Sequence, residues 1–146
     1  MLLASDSASF ALTLTGYQFP DLRGDEWDSN WLLVRTETEV PEGAWTVTEP
    51  CLTTGEVEFL ATWLDSLADG GVAEPKVWFT EPNLVFRQLG RGSDGVDLEI
   101  ELGYESRPPG TEQETAQVVS LRIHPAALRD AAADLRAQLV RFPKRS

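Results

Sequence analysis

Phe10, Leu12 and Leu14 alternate with Ala11, Thr13 and Thr15, the period of two expected of a half-buried strand. The run stops at Pro20, which has no N–H to give to a ladder. After a polar loop from Asp21 to Asn30, residues 31–40 predict a second strand with Leu32, Val34, Thr36, Thr38 and Val40 on one face. Its other face begins apolar at Trp31 and Leu33 and turns polar at Arg35, Glu37 and Glu39. Pro41-Glu42-Gly43 is turn chemistry, so residues 44–48 return as the second arm of a hairpin.

The period then changes. Val57, Leu60, Leu64 and Leu67 recur at spacings of three and four, with Phe59 and Trp63 widening the apolar face, which predicts a helix over about 54–68. Thr53 followed by Glu56 has the spacing of a capping box, and Asp69-Gly70-Gly71 ends the run. Residues 75–80 and 83–89 are short strand candidates on either side of Glu81-Pro82. The cleanest alternation is 96–104, with Val96, Leu98, Ile100, Leu102 and Tyr104 inward and Asp97, Glu99 and Glu101 outward; residues 116–123 are its antiparallel neighbour. A second helix, about 125–142, starts with Pro125 in the favoured first turn. It buries Leu128, Ala131, Ala132, Leu135, Leu139 and Phe142 and leaves Arg129, Arg136 and Arg141 off that stripe. The expected class is α+β: an antiparallel sheet or small sandwich with one central and one C-terminal helix.

At 146 residues the chain has the length of a single globular domain, 1–146, and its loop-like stretches (69–75, 90–95 and 106–114) are short enough to lie within one. Charge adds a constraint. Residues 1–110 carry twenty acids against six bases and residues 111–146 four against six, for a net charge of −12. A surface so poor in cations argues against direct binding of nucleic acid or an anionic membrane. No apolar run approaches a membrane span, and the start has no basic segment of the kind that opens a signal peptide, so a cytoplasmic protein is expected.

Catalytic signals are sparse. His124, the only histidine, precedes Pro125 where a helix cap is the simplest role, and Cys51, the only cysteine, fits a buried thiol. The sequence contains no nucleophile elbow, phosphate-binding loop or dinucleotide fingerprint. No enzyme, metal or cofactor is expected on these grounds. The chemistry that remains is acidic. Asp25, Glu26 and Asp28 surround Trp27 in the polar loop, and Trp27 is the tryptophan expected to be exposed, whereas Trp45, Trp63 and Trp78 fit the core. Asp97, Glu99 and Glu101 point one way at intervals of about 7 Å along a strand, a repulsive row unless cations answer it. Such a row can be a solvated outer face or, joined by Glu37 and Glu39, a docking surface for a basic protein. The alternative is a small metal-dependent phosphohydrolase or a ligand-binding domain using Asp97, Glu99 and Glu101.

One ordered set of segments goes further: Tyr17-Gln18-Phe19-Pro20, Asp28-Ser29-Asn30-Trp31-Leu32, Trp45 with Pro50-Cys51-Leu52-Thr53-Thr54, and Glu56, Leu60 and Trp63-Leu64. It continues with Glu81-Pro82-Asn83-Leu84, Phe86, and Glu105 before Pro108-Pro109. Across nearly the whole chain this set resembles the WapI-like family of bacterial immunity proteins, with Gly55 and Gly110 departing from its pattern. The resemblance implies a non-catalytic cytoplasmic antitoxin that binds and neutralises a cognate toxin domain, such as a basic nuclease, carried by a wall-associated surface protein of neighbouring cells.

Overall fold

A computed structural model describes residues 1–70, 74–111 and 116–146. The expected loops 69–75 and 106–114 therefore lie partly outside the described residues. Eight strands form two antiparallel sheets of four, each in sequential order. The first contains β1 (Leu2–Ala4), β2 (Ser9–Tyr17), β3 (Trp31–Val40) and β4 (Gly43–Thr53). The second contains β5 (Lys76–Trp78), β6 (Leu84–Arg91), β7 (Val96–Leu102) and β8 (Gln117–Ile123). Helices α1 (Thr54–Ala68) and α2 (Pro125–Arg141) pack on each other. The fold is α+β, with both helices where the sequence periodicity puts them.

The reason for each element is local. Thr53 Oγ1 accepts the Glu56 N–H while Glu56 Oε2 accepts the Thr53 N–H, so the capping box starts α1 as its spacing predicts. His124 Nδ1 accepts the Ala126 N–H and caps α2, which explains the lone histidine without chemistry. In β3 the inward set Leu32, Val34, Thr36 and Thr38 is buried, and in β7 Val96, Leu98, Ile100 and Leu102 are. One core cluster joins the inner faces of both sheets to both helices. At its centre Phe86 of β6 meets Phe10 of β2, Trp63 of α1 and Phe79 edge to face, at 5.9, 6.3 and 6.2 Å between ring centroids.

The C-terminal part of α2 covers an edge that β1 is too short to reach. Strand β1 pairs with β2 only as far as Ala11, and beyond it Leu14 donates its N–H to Gln138 Oε1 while Gln138 Nε2 donates to the Leu12 carbonyl. An open strand edge is a template for aggregation, and a side chain of α2 closes this one.

Four expectations need correction. Trp78 is exposed rather than core, because β5 has three residues and only its middle one, Val77, faces in. Tyr104 is exposed rather than inward: β7 ends at Leu102, and Tyr104 enters a short 3-10 turn with φ of 51°. Phe59 lies outside the buried stripe of α1. Strand β4 runs on through Pro50 to Thr53; it is the edge strand of its sheet, where a proline is tolerated, and a register shift falls beside Pro50. Gly110, a departure from the resembled pattern, adopts φ of 77°, where a glycine is favoured.

Candidate functional site

The acidic row on β7 is answered from both sides. Arg122 of β8 holds Asp97 through two bonds, Nε to Oδ1 at 2.8 Å and Nη2 to Oδ2 at 2.9 Å, and also reaches Asp94 at 3.1 Å. Arg87 of β6 bridges Glu101 at 2.7 Å and Glu99 at 3.5 Å. The register explains the pairing, because Arg87 stands opposite Glu99 and Arg122 opposite Asp97. The Arg122 guanidinium holds the Asp97 carboxyl below the usual carboxylate range. These three carboxylates thus spend their charge within the sheet. Among the described residues no group of three His, Cys, Asp or Glu side chains is arranged to hold a metal ion, Asp97, Glu99 and Glu101 included. Glu37 and Glu39 are exposed on the other sheet, Glu37 at 3.7 Å from Arg35.

The Asp25–Asp28 loop is built differently. Asp25 Oδ1 accepts the N–H groups of Trp27 and Asp28 at 2.9 and 2.7 Å, so this carboxylate organises the turn. Glu26 and Asp28 are exposed. Trp27 is 55% exposed, as expected of it, and rests edge to face on the buried Trp31 at 5.9 Å. Behind the turn Asn30 is buried and bonded on both sides of its amide. It donates to the Glu26 and Arg145 carbonyls and accepts from Thr54 Oγ1 and the Arg145 N–H. The loop is thereby fastened to α1 and to the segment after α2.

Trp27 and Asp28 form one wall of a cleft of about 530 Å³ where the ends of the two sheets meet. The first sheet contributes Gln18 and Phe19 from the end of β2, Trp31 from the start of β3, and Glu49 and Pro50 from β4. The second contributes Thr80 and Glu81 after β5, Asn83 before β6, and Glu105 after β7. Every charged side chain lining it is a carboxylate: Asp28, Glu49, Glu81 and Glu105. Their field is felt at the neighbouring thiol. Burial pushes Cys51 up to about 12, with further contributions from the negative charges of Glu49, Glu56 and Glu81.

From the sequence, only the Trp27–Asp28 part of this cleft stands out as a site. Glu49, Glu81 and Glu105 are far apart along the chain and form no local motif. For Glu81 and Glu105 the signal is the family resemblance, whose segments include Gln18, Phe19, Asp28, Trp31, Pro50, Glu81, Asn83 and Glu105, whereas Glu49 belongs to none of them. All eight line the one cleft.

The comparison with protein families agrees. Residues 1–143 match the immunity protein WapI-like family, and the chain belongs to that family. A comparison with curated proteins gave no match. Membership supports an immunity role, and with it a toxin protein as partner. No helix among the described residues is long and apolar enough to cross a membrane.

Proposed function

We propose that this chain is a non-catalytic antitoxin that binds a cognate toxin domain in the cytoplasm and neutralises it by covering its working surface. The observation that carries the proposal is the convergence just described: segments scattered from Gln18 to Glu105 build one acidic, aromatic cleft. A surface whose charged groups are all acidic is complementary to a basic protein, which speeds its encounter and selects against other partners. The partner is accordingly a basic domain, and a nuclease, which grips a phosphate backbone with cations, is the class that fits.

The docking face centres on the cleft and the adjoining Asp25, Glu26, Trp27 and Asp28. Exposed tryptophan is a favoured anchor of protein interfaces, and Trp27 stands at the rim of the cleft on a fastened loop. Asp97, Glu99 and Glu101 are paired with Arg122 and Arg87, so they offer a partner less charge than the cleft does, while Glu37 and Glu39 lie exposed on the other sheet and add to the long-range field. The net charge of −12 speeds encounter with a basic partner at low salt.

The test is protection. Cells producing the toxin domain encoded beside this chain are expected to grow when the chain is co-produced and to arrest when it is not. Arrest in both cases, with no complex recovered from the lysate, overturns the proposal.

A further inference from the structure

We infer that the outer face of the second sheet is where two copies of this chain meet, back to back, in a two-fold pair that leaves both clefts open. Three observations carry this, none of them drawn from the cleft.

The first is an open sheet face. One side of β5–β8 packs into the core, while the side chains on the other are exposed or half-buried, so no element covers them among the described residues. Strand register sets these outward side chains in rows. Trp78, Val85, Glu101 and Val118 form one row, and Lys76, Arg87, Glu99 and Ser120 the next. Trp78 is 67% exposed and Val118 41%. A water-facing sheet ordinarily presents polar side chains, and a bare tryptophan in a row with two valines marks a contact surface.

The second is charge. Each copy carries −12, so two copies repel unless they meet where that charge is absent. The outward side chains of this face balance: Lys76, Arg87 and Arg122 against Asp97, Glu99 and Glu101, with both arginines already bonded to the carboxylates. A neutral face offers a basic toxin domain no attraction, whereas a second acidic copy escapes its repulsion there.

The third is self-complementarity. A two-fold axis running along the strands between β6 and β7 lays β6 on β7 of the second copy and β5 on its β8. In that order Arg87 faces Glu99 of the second copy, Trp78 faces its Val118 and Lys76 its Ser120, and no like charges are opposed. Aligned stacking of this kind is an ordinary way for sheets to pack, about 10 Å apart. Strands β6, β7 and β8 are 8, 7 and 7 residues long. With strands about 4.8 Å apart, the four give a footprint of roughly 400–500 Å² per copy, and a pair buries about 1,000 Å², the lower end of a specific interface. None of these outward residues lines the cleft, so a pair presents two docking faces; that consequence alone rests on the immunity reading above.

The experiment is sedimentation equilibrium of the full chain at low and high salt, over concentrations from about 1 to 500 µM. A reversible monomer–dimer equilibrium is expected, with a dissociation constant of about 10–100 µM that tightens several-fold in high salt as the net charges are screened. Trp78→Ser with Val118→Ser changes only exposed side chains. This variant is expected to keep the thermal unfolding of the wild type and to weaken the pair at least about tenfold. Lys76→Glu makes the face acidic and is expected to weaken pairing at low salt and to recover in high salt. A chain that stays monomeric throughout, or a dimer that neither variant weakens, overturns the inference. If the Trp78 and Val118 variant does not fold, Lys76→Glu decides alone. A second arm keeps the two readings apart. The toxin domain is expected to bind the Trp78 and Val118 variant as it binds the wild type; loss of that binding assigns the face to the toxin and overturns the inference. If neither form binds the toxin domain, the immunity reading fails and sedimentation alone decides whether the copies pair.

Discussion

Asn30 and Arg145 hold one another by two hydrogen bonds: Asn30 Oδ1 accepts the Arg145 N–H at 2.7 Å, and Asn30 Nδ2 donates to the Arg145 carbonyl at 2.8 Å. With Glu26 and Thr54 as its other partners, the Asn30 side chain ties three distant segments together directly behind Trp27. Replacing it by alanine leaves the part-buried Glu26 and Arg145 carbonyls and the Arg145 N–H without this partner. Asn30→Ala is expected to cost about 2–3 kcal/mol in urea denaturation. Because the loop carrying Trp27 loses its fastening, toxin binding is expected to weaken by more than the loss of stability alone explains.

The aromatic centre gives a second expectation. Phe86 is fully buried and joins both sheets to α1 through Phe10 and Trp63. Phe86→Ala opens a cavity at that junction and is expected to cost about 3–5 kcal/mol, read by thermal or denaturant unfolding. Phe86→Leu, which refills most of the space, is expected to cost less.

Cys51 tests the electrostatics beside the cleft. With its thiol pushed up to about 12 by burial and by Glu49, Glu56 and Glu81, it is protonated at pH 8. The native protein is expected to react with iodoacetamide at least about a hundredfold more slowly than the unfolded chain. The sign of the linkage follows. The folded thiol holds its proton above the ordinary value of 9.0, so stability is unaffected below pH 9 and declines as pH rises from there towards 12. Cys51→Ala is expected to remove that decline.

The Asp97–Arg122 pair carries an acid-side prediction. Asp97 is held below the ordinary 3.8 by its bonds to Arg122, so its contribution is present above that pH and is lost as pH falls through the folded value. In Arg122→Gln, the Asp97 carboxyl is expected to titrate at higher pH in an NMR titration. Both groups are exposed, so the change in stability is expected to be slight, as surface pairs generally show.

Much of this fold was legible in the pattern of residues, and the reasons are local. The capping box at Thr53 and Glu56, the alternation from Val96 to Leu102, and Pro125 after His124 are short-range devices that need no tertiary information. Strand β1 escaped because three residues, with only Leu3 buried, carry too little periodicity to distinguish. Trp78 misled because a bulky aromatic on an edge strand can face either way, and hydrophobicity does not choose. The cations that answer Asp97, Glu99 and Glu101 follow from strand register, with Arg87 and Arg122 opposite them, and register is set across the sheet. The cleft was least legible for the same reason. Glu49, Glu81, Asn83 and Glu105 meet only where the ends of two sheets come together.

The central claim is that the acidic cleft, and not the acidic row on β7, is the docking face. The most direct test is the association of the toxin domain with three forms of the full chain at low and high salt. These are the wild type, Glu81→Arg with Glu105→Arg, and Glu99→Gln with Glu101→Gln. The cleft variant is expected to bind at least about tenfold more weakly, with a slower association rate and a smaller salt dependence, while the β7 variant stays within about twofold of wild type. Near-normal binding by the cleft variant together with loss of binding by the β7 variant would contradict the claim and move the interface to the outer face of the second sheet.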